Sequence, residues 1–323
     1  MKLQSMKLQF VVSNSVDPFW NVSVENYLVS LPDSGTVVMY LWKNRRTVVI
    51  GRNQNPFSEC NVEMLLSEGG HVMRRTTGGG AVYHDDGNIN FSFIAPYGLY
   101  DQARQFEVIR QAIASYGLDC CVSGRNDMTV NVDGQPRKFS GNAFSKAKHQ
   151  RLHHGTLLIK SNIEDLQRYL KVKPAKLQKH GVSSVQSRVV NLSELADINS
   201  ENIVQPLHDA FEKIYCGKAV DVAFEQLIAE PEVRRLHDIY CSEEWLYGNW
   251  RSFTATRNGQ FDWGMIELQI AIEDDVITDV QIASDALDLD ALDDARRLLT
   301  GADIKKRPQT ESAIIGDILS LVY

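Results

Sequence analysis

The chain has no apolar run near the ~20 residues that a membrane helix needs, so nothing in it reads as a transmembrane span. Its first residues, Met1 to Met6, lack the hydrophobic region of a signal peptide, and a cytoplasmic location is the expectation. Cysteine is scarce. The five residues, Cys60, Cys120, Cys121, Cys216 and Cys241, have an odd count and no paired spacing, which argues against a disulfide framework or a zinc site. His153 and His154 are adjacent, and neighbours on a strand face opposite sides, so the two do not share one ligand sphere. No structural metal is expected. An excess of positive charge is also missing: the formal net charge is −7, whereas a nucleic-acid binder would usually be basic overall. There is no internal repeat and no low-complexity segment. With 323 residues, 43% of them apolar and 23% charged, the chain can bury a large core and suggests about two domains.

Charge of one sign is missing locally as well. Arg137 through Ile163 contains no Asp or Glu, and neither does Leu166 through Ser193. Asn258 through Ala295 contains no Lys or Arg. The central basic zone suits a compact anion or an acidic protein surface, and it also fits an ordinary solvated face.

What is present is more specific. The run Arg74-Arg75-Thr76-Thr77-Gly78-Gly79-Gly80-Ala81-Val82-Tyr83-His84-Asp85 puts two arginines before three glycines, with a β-prone segment after them. Glycine admits φ > 0 and lets a ligand approach the main chain without a Cβ in the way. Exposed backbone N–H groups favour anions, and arginine adds a fixed charge with a planar donor fork. By itself a glycine triplet fits a tight hairpin as well as a ligand loop. A P-loop would need Gly-Lys-Ser/Thr, and a dinucleotide fingerprint would place its glycines between a strand and a helix. Here they lie between strand-like runs, His71 to Arg75 and Ala81 to His84.

Pattern and punctuation give an order of elements. Phe19 to Ser30 reads as a helix after Asp17-Pro18. Val37 to Trp42 and Thr47 to Ile50 read as strands turned at Lys43 to Arg46. Asn61 can cap a helix to about Glu68. His71 to Arg75, Ala81 to Asp85 and Ile89 to Ala95 look like consecutive strands, the last two joined at Asp86-Gly87. Tyr100 to Tyr116 is helical, with Phe106, Ile109, Ile113 and Tyr116 on one stripe. Met128 to Val132 and Gln135 to Ala143 form a hairpin around Asp133-Gly134, Leu152 to Ile159 another strand, and Ile163 to Leu170 a short helix. Lys171 to Val190 has no clean period and reads as a long mobile loop, a candidate lid. Helices follow at Ser200 to Tyr215 and Val222 to Tyr240. Ser242 to Gly248 looks like a boundary. After it come strands between Phe253 and Ile282, with turns at Arg257-Asn258-Gly259 and Glu273-Asp274-Asp275, then helices near Asp288 to Thr300 and Thr310 to Val322.

Several segments in this order together resemble the lipoate–protein ligase A family: the glycine run, Arg137-Lys138-Phe139-Ser140-Gly141-Asn142-Ala143, and His153-His154-Gly155-Thr156. Asp17-Pro18-Phe19-Trp20-Asn21, Val49-Ile50-Gly51-Arg52, Gly124-Arg125-Asn126-Asp127 and Gly181-Val182-Ser183-Ser184-Val185 match as well. The resemblance is strong over the first two-thirds of the chain and weaker beyond Trp245. It implies an α+β protein of the biotin/lipoate ligase-like, class II synthetase-like kind. A mixed β-sheet packed by helices would form a catalytic domain, residues 1–242, followed by a small α+β accessory domain, residues 243–323. It implies an ATP-dependent enzyme, with Mg²⁺ accompanying ATP, that converts lipoate to lipoyl-AMP and transfers the lipoyl group to a lysine. The implied acceptors are lipoyl domains of 2-oxo acid dehydrogenase complexes and the glycine cleavage H protein, and a monomer is expected.

The resemblance also assigns residues. Lys138 would touch the acid's carbonyl and the phosphate, and is the candidate catalytic group. Arg75 would contact ATP, with Arg74 beside it. Gly78, Gly79, Gly80, Ala81, Val82 and Tyr83 would form the nucleotide-binding segment, and Trp42 would wall an apolar lipoate slot. Asn88, Asp127 and His154 are further candidates for polar contacts. Each of these also has an ordinary structural reading, as a hairpin lysine, core strand residues or buried hydrogen-bonders.

The chemistry suits those residue types. A carboxylic acid becomes an acylating agent when its oxygen attacks the α-phosphorus of ATP, and phosphoryl transfer is catalysed mainly by positioning and charge stabilisation. The site must therefore hold two anions beside fixed cations and oriented donors. Transfer to a lysine then needs no nucleophile from the enzyme, and none of the cysteines lies in the matched segments. The same segments also fit a lipoyltransferase that takes preformed lipoyl-AMP, a biotin or octanoyl ligase, and a non-catalytic binding protein.

Overall fold

The computed structural model describes residues 6–124, 126–171, 189–247 and 255–323. The chain begins with β1 (Lys7–Val12), α1 (Pro18–Ser30), β2 (Thr36–Trp42), β3 (Thr47–Ile50), α2 (Pro56–Glu59), α3 (Val62–Ser67), β4 (His71–Arg74), β5 (Val82–His84) and β6 (Asn88–Pro96). It continues with α4 (Gln102–Ala114), β7 (Cys120–Ser123), β8 (Asp127–Val132), β9 (Gln135–Lys146), β10 (Gln150–Leu158), α5 (Ile163–Tyr169), α6 (Val204–Tyr215) and β11 (Ala219–Ala223). Then come α7 (Phe224–Ala229), α8 (Pro231–Cys241), α9 (Glu243–Tyr247), β12 (Ala255–Phe261), β13 (Gly264–Glu273), β14 (Val276–Ser284), α10 (Leu289–Leu299) and α11 (Ala313–Leu319). Among the described residues no helix is long and apolar enough to cross a membrane.

The expected α+β architecture is present: a mixed eight-stranded sheet in the order β11-β1-β2-β6-β10-β9-β8-β7, and two three-stranded sheets, β4-β3-β5 and β12-β13-β14. Strand alternation divides the large sheet into two faces. Met39, Leu41, Phe91 and Phe93 pack on one face with Phe106, Ile109 and Ile113 of α4 and Phe211 of α6. Tyr40, Trp42 and Ile94 pack on the other with Val22 and Leu28 of α1 and Val233 of α8. Asp17 caps α1 through Oδ1, which accepts from Phe19 N and Trp20 N, and Pro18 supplies the first turn. β12 to β14, α10 and α11 enclose a separate core of Ile266, Leu268, Ile282, Leu292 and Ile318.

Several expectations are corrected. β2 and β3 are not a hairpin: β2 pairs with β1 and β6, while β3 pairs with β4 and β5. The glycine run does not close a hairpin either. It carries the chain from β4 on one side of β3 to β5 on the other, and β6 then leaves for the large sheet. Local turn signals do not reveal which sheet a strand joins. The helix expected over Val222 to Tyr240 is β11, α7 and α8. Alternation in Ala219–Ala223 lets it pair in parallel with β1, and Pro231 forces a new helix start. Arg257-Asn258-Gly259 lies inside β12, paired with Leu268, Glu267 and Ile266, while Asp274 and Asp275 do form a turn with positive φ. Of the loop from Lys171 to Val190, residues 172–188 lie outside the described residues, as do Arg125, the Gly181 to Val185 segment and Gly248.

Candidate active site

A row of residues crosses the large sheet, one from each of five strands. Trp42 on β2 pairs with Asn90 on β6, and Asn90 with Thr156 on β10. Thr156 Oγ1 accepts from the Gly141 N–H on β9 at 3.2 Å, and Gly141 pairs with Asp127 on β8. All five line one cavity of ≈ 470 Å³, and the small sheet β4-β3-β5 covers it with Val49, Met73, Arg75 and Val82. The row sets polar groups at one end and an indole at the other.

At the polar end the Lys138 ammonium lies 2.7 Å from Asp127 Oδ1, with both side chains half-exposed. Gly141 lies under the lysine stem: a Cβ there would come within 3.0 Å of Nζ. Gly79 and Gly80 line the same cavity. Gly79 has φ +94°, and no atom lies within 4 Å of where a Cβ on Gly80 would stand, so the main chain at Gly80 is open to a ligand.

Arg75 builds this loop from within. It is buried, and its guanidinium donates to the carbonyls of Val49, Gly78 and Gly80 and to the Thr77 hydroxyl. Burial pushes its pKa down to about 10, and Glu25 opposes this. It therefore brings positive charge to the cavity wall while its donors fold the glycine turn.

At the other end Trp42 Nε1 donates to Ser92 Oγ at 3.0 Å, and Ser92 Oγ donates to Glu25 Oε1 at 2.5 Å. His154 joins Glu25 Oε1 at 2.8 Å through Nδ1, and its Nε2 meets Thr77 Oγ1 at 2.9 Å. Glu25, on α1, is fully buried. This chain runs from the indole wall to the glycine loop.

The structure brings Lys138, Asp127, Arg75, Gly79, Gly80, Ala81, Val82, Trp42 and His154 to the one cavity. Four expected residues lie outside its lining. Arg74 faces the opposite way along β4, where its guanidinium donates to the carbonyls of Gly51, Arg52, Gln54, Trp245 and Leu246. Tyr83 is turned from the cavity by the same alternation on β5 and tilts against Tyr169. Gly78 abuts the small domain, since a Cβ on it would meet the Ala286 carbonyl at 2.1 Å. Asn88 is buried and donates to Asn90 Oδ1, and it is Asn90 that lines the cavity. Glu25, His84, Asn90, Asn126 and Thr156 also line the cavity without having been expected there, as do Phe261, Asp262 and Trp263, by which the small domain borders it. His84, Asn126 and Thr156 lay inside quoted segments. Glu25 had no local signal beyond being one turn past Asn21 on the same helix.

The model of the lipoyl protein ligase A/B catalytic domain matches residues 17–212, and that of the bacterial lipoate protein ligase C-terminus matches residues 251–309. The chain belongs to the lipoate–protein ligase A family. It is an enzyme of the ligase class. A lipoate-protein ligase A of Bdellovibrio bacteriovorus is 39% identical to this ligase over 298 residues, 91% of this chain and 88% of the relative. One from Psychrobacter cryohalolentis is 36% identical over 310 residues, 93% and 89% of the two chains. The crystal structure of P. falciparum LipL1 in complex with lipoate aligns with a TM-score of 0.82 at 30% identity, over 97% of this ligase and 98% of that chain.

Proposed function

We propose that this ligase activates lipoate with ATP, releasing pyrophosphate to give lipoyl-AMP, and then transfers the lipoyl group to a lysine. The proposed acceptors are apo lipoyl domains of 2-oxo acid dehydrogenase complexes and the glycine cleavage H protein. We also propose that residues 1–242 act as the catalytic domain and 243–323 as the accessory domain. The observation that carries the reading is that the Lys138 ammonium and the open glycine main chain border the same cavity as the apolar wall of Trp42. That geometry suits an acid whose carboxylate meets a nucleotide phosphate.

In this reading the Lys138 ammonium lies between the acid's oxygen and the α-phosphate and stabilises the charge that develops as they join. Arg75 adds fixed positive potential behind Gly79 and Gly80. The tail of the acid lies along Val22, Val49, Met73 and Val82 toward Trp42, an apolar slot of the kind that binds aliphatic ligands. Mg²⁺ would arrive with the triphosphate, whose oxygens and bound water provide most of its ligands, and Asp127 is the carboxylate beside Lys138 that fits as a protein ligand. In the second step the acceptor amine attacks the acyl carbon, AMP departs with the bonding electron pair, and the amine loses a proton.

Mass spectrometry of an apo lipoyl domain incubated with the ligase, Mg²⁺, ATP and lipoate tests this. A lipoyl mass increment that requires ATP is expected, together with pyrophosphate release from free lipoate. Modification only when lipoyl-AMP is supplied would replace the ligase reading with a transferase reading, and no modification under either condition would overturn both.

A further inference from the structure

Two sequence features remain outside the mechanism above, Asn21 of the Asp17 to Asn21 segment and His84 near the end of the glycine run, and the fold joins them. Asn21 Nδ2 donates to the carbonyls of Ser15 at 3.2 Å and Lys43 at 2.7 Å, which can only accept. Its Oδ1 accepts from the Ser13 hydroxyl at 2.6 Å and the Tyr40 hydroxyl at 3.1 Å. The orientation of this amide is therefore fixed. The same Nδ2 faces Asn44 Oδ1 at 3.1 Å, so Asn44 turns its own Nδ2 toward His84 Nδ1, 3.2 Å away. His84 Nδ1 must then accept, and the ring proton resides on Nε2. Burial, helped by the nearby charge of Arg75, pushes the His84 pKa down to about 3, so the ring is neutral. Its Nε2–H is buried and has no hydrogen-bond partner among the described residues. A buried donor in that condition is costly until something supplies an acceptor.

His84 lines the cavity beside Trp42, with ring centroids 6.1 Å apart and the planes at 74°. Trp42 is on β2 and Lys138 on β9, and β6 and β10 lie between them. Three strand spacings of ~4.8 Å separate the two ends of the cavity by roughly 14 Å. An acid held by its carboxylate at Lys138 therefore sends its tail toward His84. In lipoate the tail is a dithiolane, and divalent sulfur is a weak hydrogen-bond acceptor. In octanoate it is a methyl group, which accepts nothing.

We propose that the His84 Nε2–H donates to a dithiolane sulfur and is the contact by which this enzyme distinguishes lipoate from a straight-chain fatty acid. Asn21 and Asn44 are positioning residues that hold the imidazole in the donating tautomer. The inference rests on the proposed function and goes beyond it by naming what selects the acid.

The test is kcat/KM for pyrophosphate release with lipoate and with octanoate, for the wild type, His84→Phe and His84→Gln. His84→Phe should lower the lipoate-to-octanoate ratio about tenfold, through a raised KM for lipoate, while His84→Gln, which keeps a side-chain N–H, should stay within about threefold of wild type. A ratio unchanged in His84→Phe, or lowered equally in both variants, would overturn the assignment. If His84→Phe does not fold, Asn44→Leu provides the same readout: release of the tautomer should lower the ratio, and an unchanged ratio would refute it. Wild-type turnover with neither acid would instead sink the proposed function itself.

Discussion

The backbone N–H of Gly79 donates to the Ala286 carbonyl at 3.0 Å, so the small domain rests on the glycine loop itself. Ser284 N donates to the Asn53 carbonyl at 3.0 Å and Arg52 pairs with Asp293 at 3.5 Å, which extends the same seam. One amide of the glycine loop is therefore held by a carbonyl of the small domain, and the docked domain and the loop conformation depend on each other.

This seam has no room at Gly78. Gly78→Ala would push a methyl group into the Ala286 carbonyl, 2.1 Å from the ideal Cβ position. Overpacking of this kind costs about 1–3 kcal/mol. A lower midpoint in urea unfolding is expected, with a smaller effect for Gly80→Ala, whose Cβ would meet open space. Equal stability of the two variants would contradict the packing described.

Lys138→Ala should lower the rate of pyrophosphate release by roughly a hundredfold or more, as removal of a charge-stabilising donor commonly does. The folded state should be nearly unaffected, because Lys138 is half-exposed and its ion pair is with an equally exposed Asp127. A variant with near-normal release would remove Lys138 from the chemistry.

Glu25→Ala removes the acceptor of both Ser92 and His154 at a fully buried position. Orphaned buried donors cost about 1–3 kcal/mol each, so this change should be among the more destabilising single substitutions in the catalytic core. Because His154 Nε2 also holds Thr77, KM for ATP should rise as the loop loosens. Denaturation midpoints and steady-state kinetics on the same sample would measure both, and a wild-type midpoint would count against the network.

Stability should depend on pH through His84 and His153, whose pKa values burial pushes down to about 3. In the unfolded chain a histidine takes up its proton near pH 6.5, so below that pH the unfolded state binds two protons that the folded state refuses. The stabilisation is fully present above about pH 6.5 and is lost as pH falls toward 3, at up to about 2.7 kcal/mol per pH unit for the pair. Urea unfolding at pH 7.5, 6 and 5 should show this decline, and His153→Gln should roughly halve its slope. A midpoint constant over that range would refute the neutral buried assignment.

Transfer to an acidic acceptor domain should slow as salt rises. β9 continues from the cavity to exposed Lys146, and Lys148 and His149 follow at the turn, within a stretch from 137 to 163 that has no carboxylate. Complementary charge of this kind raises association rates more than affinity and is screened over about 10 Å at 0.1 M salt. A kcat/KM for the acceptor that does not change with ionic strength would dismiss the idea.

Much of this was legible without coordinates. Asp17-Pro18 fixed the start of α1, since a capping carboxylate and a first-turn proline act within a few residues. Asp133-Gly134 fixed the β8–β9 turn, because positive φ at both positions is a local demand. The glycine run, Lys138 and Trp42 were found because their chemistry lies in the side chains or in the lack of them. Other features were hidden. Ala219–Ala223 is a strand only because β1 offers it an edge more than 200 positions away. Arg74 and Arg75 are identical in type and adjacent in sequence, yet one ties the backbone of Gly51 to Gln54 to α9 and the other folds the glycine loop.

The sequence by itself determined most of the element types, the loop that exposes main chain, and the cation that faces it, because these follow from φ preferences, periodicity and charge over short spans. Only the tertiary structure decided which strands share a sheet, that Glu25 reaches the cavity from α1 while Asn21 acts on His84 through Asn44, and that Ala286 closes the seam over Gly79. Those depend on contacts between residues far apart in the chain, where the register of packed strands and helices, and no local preference, sets the partner.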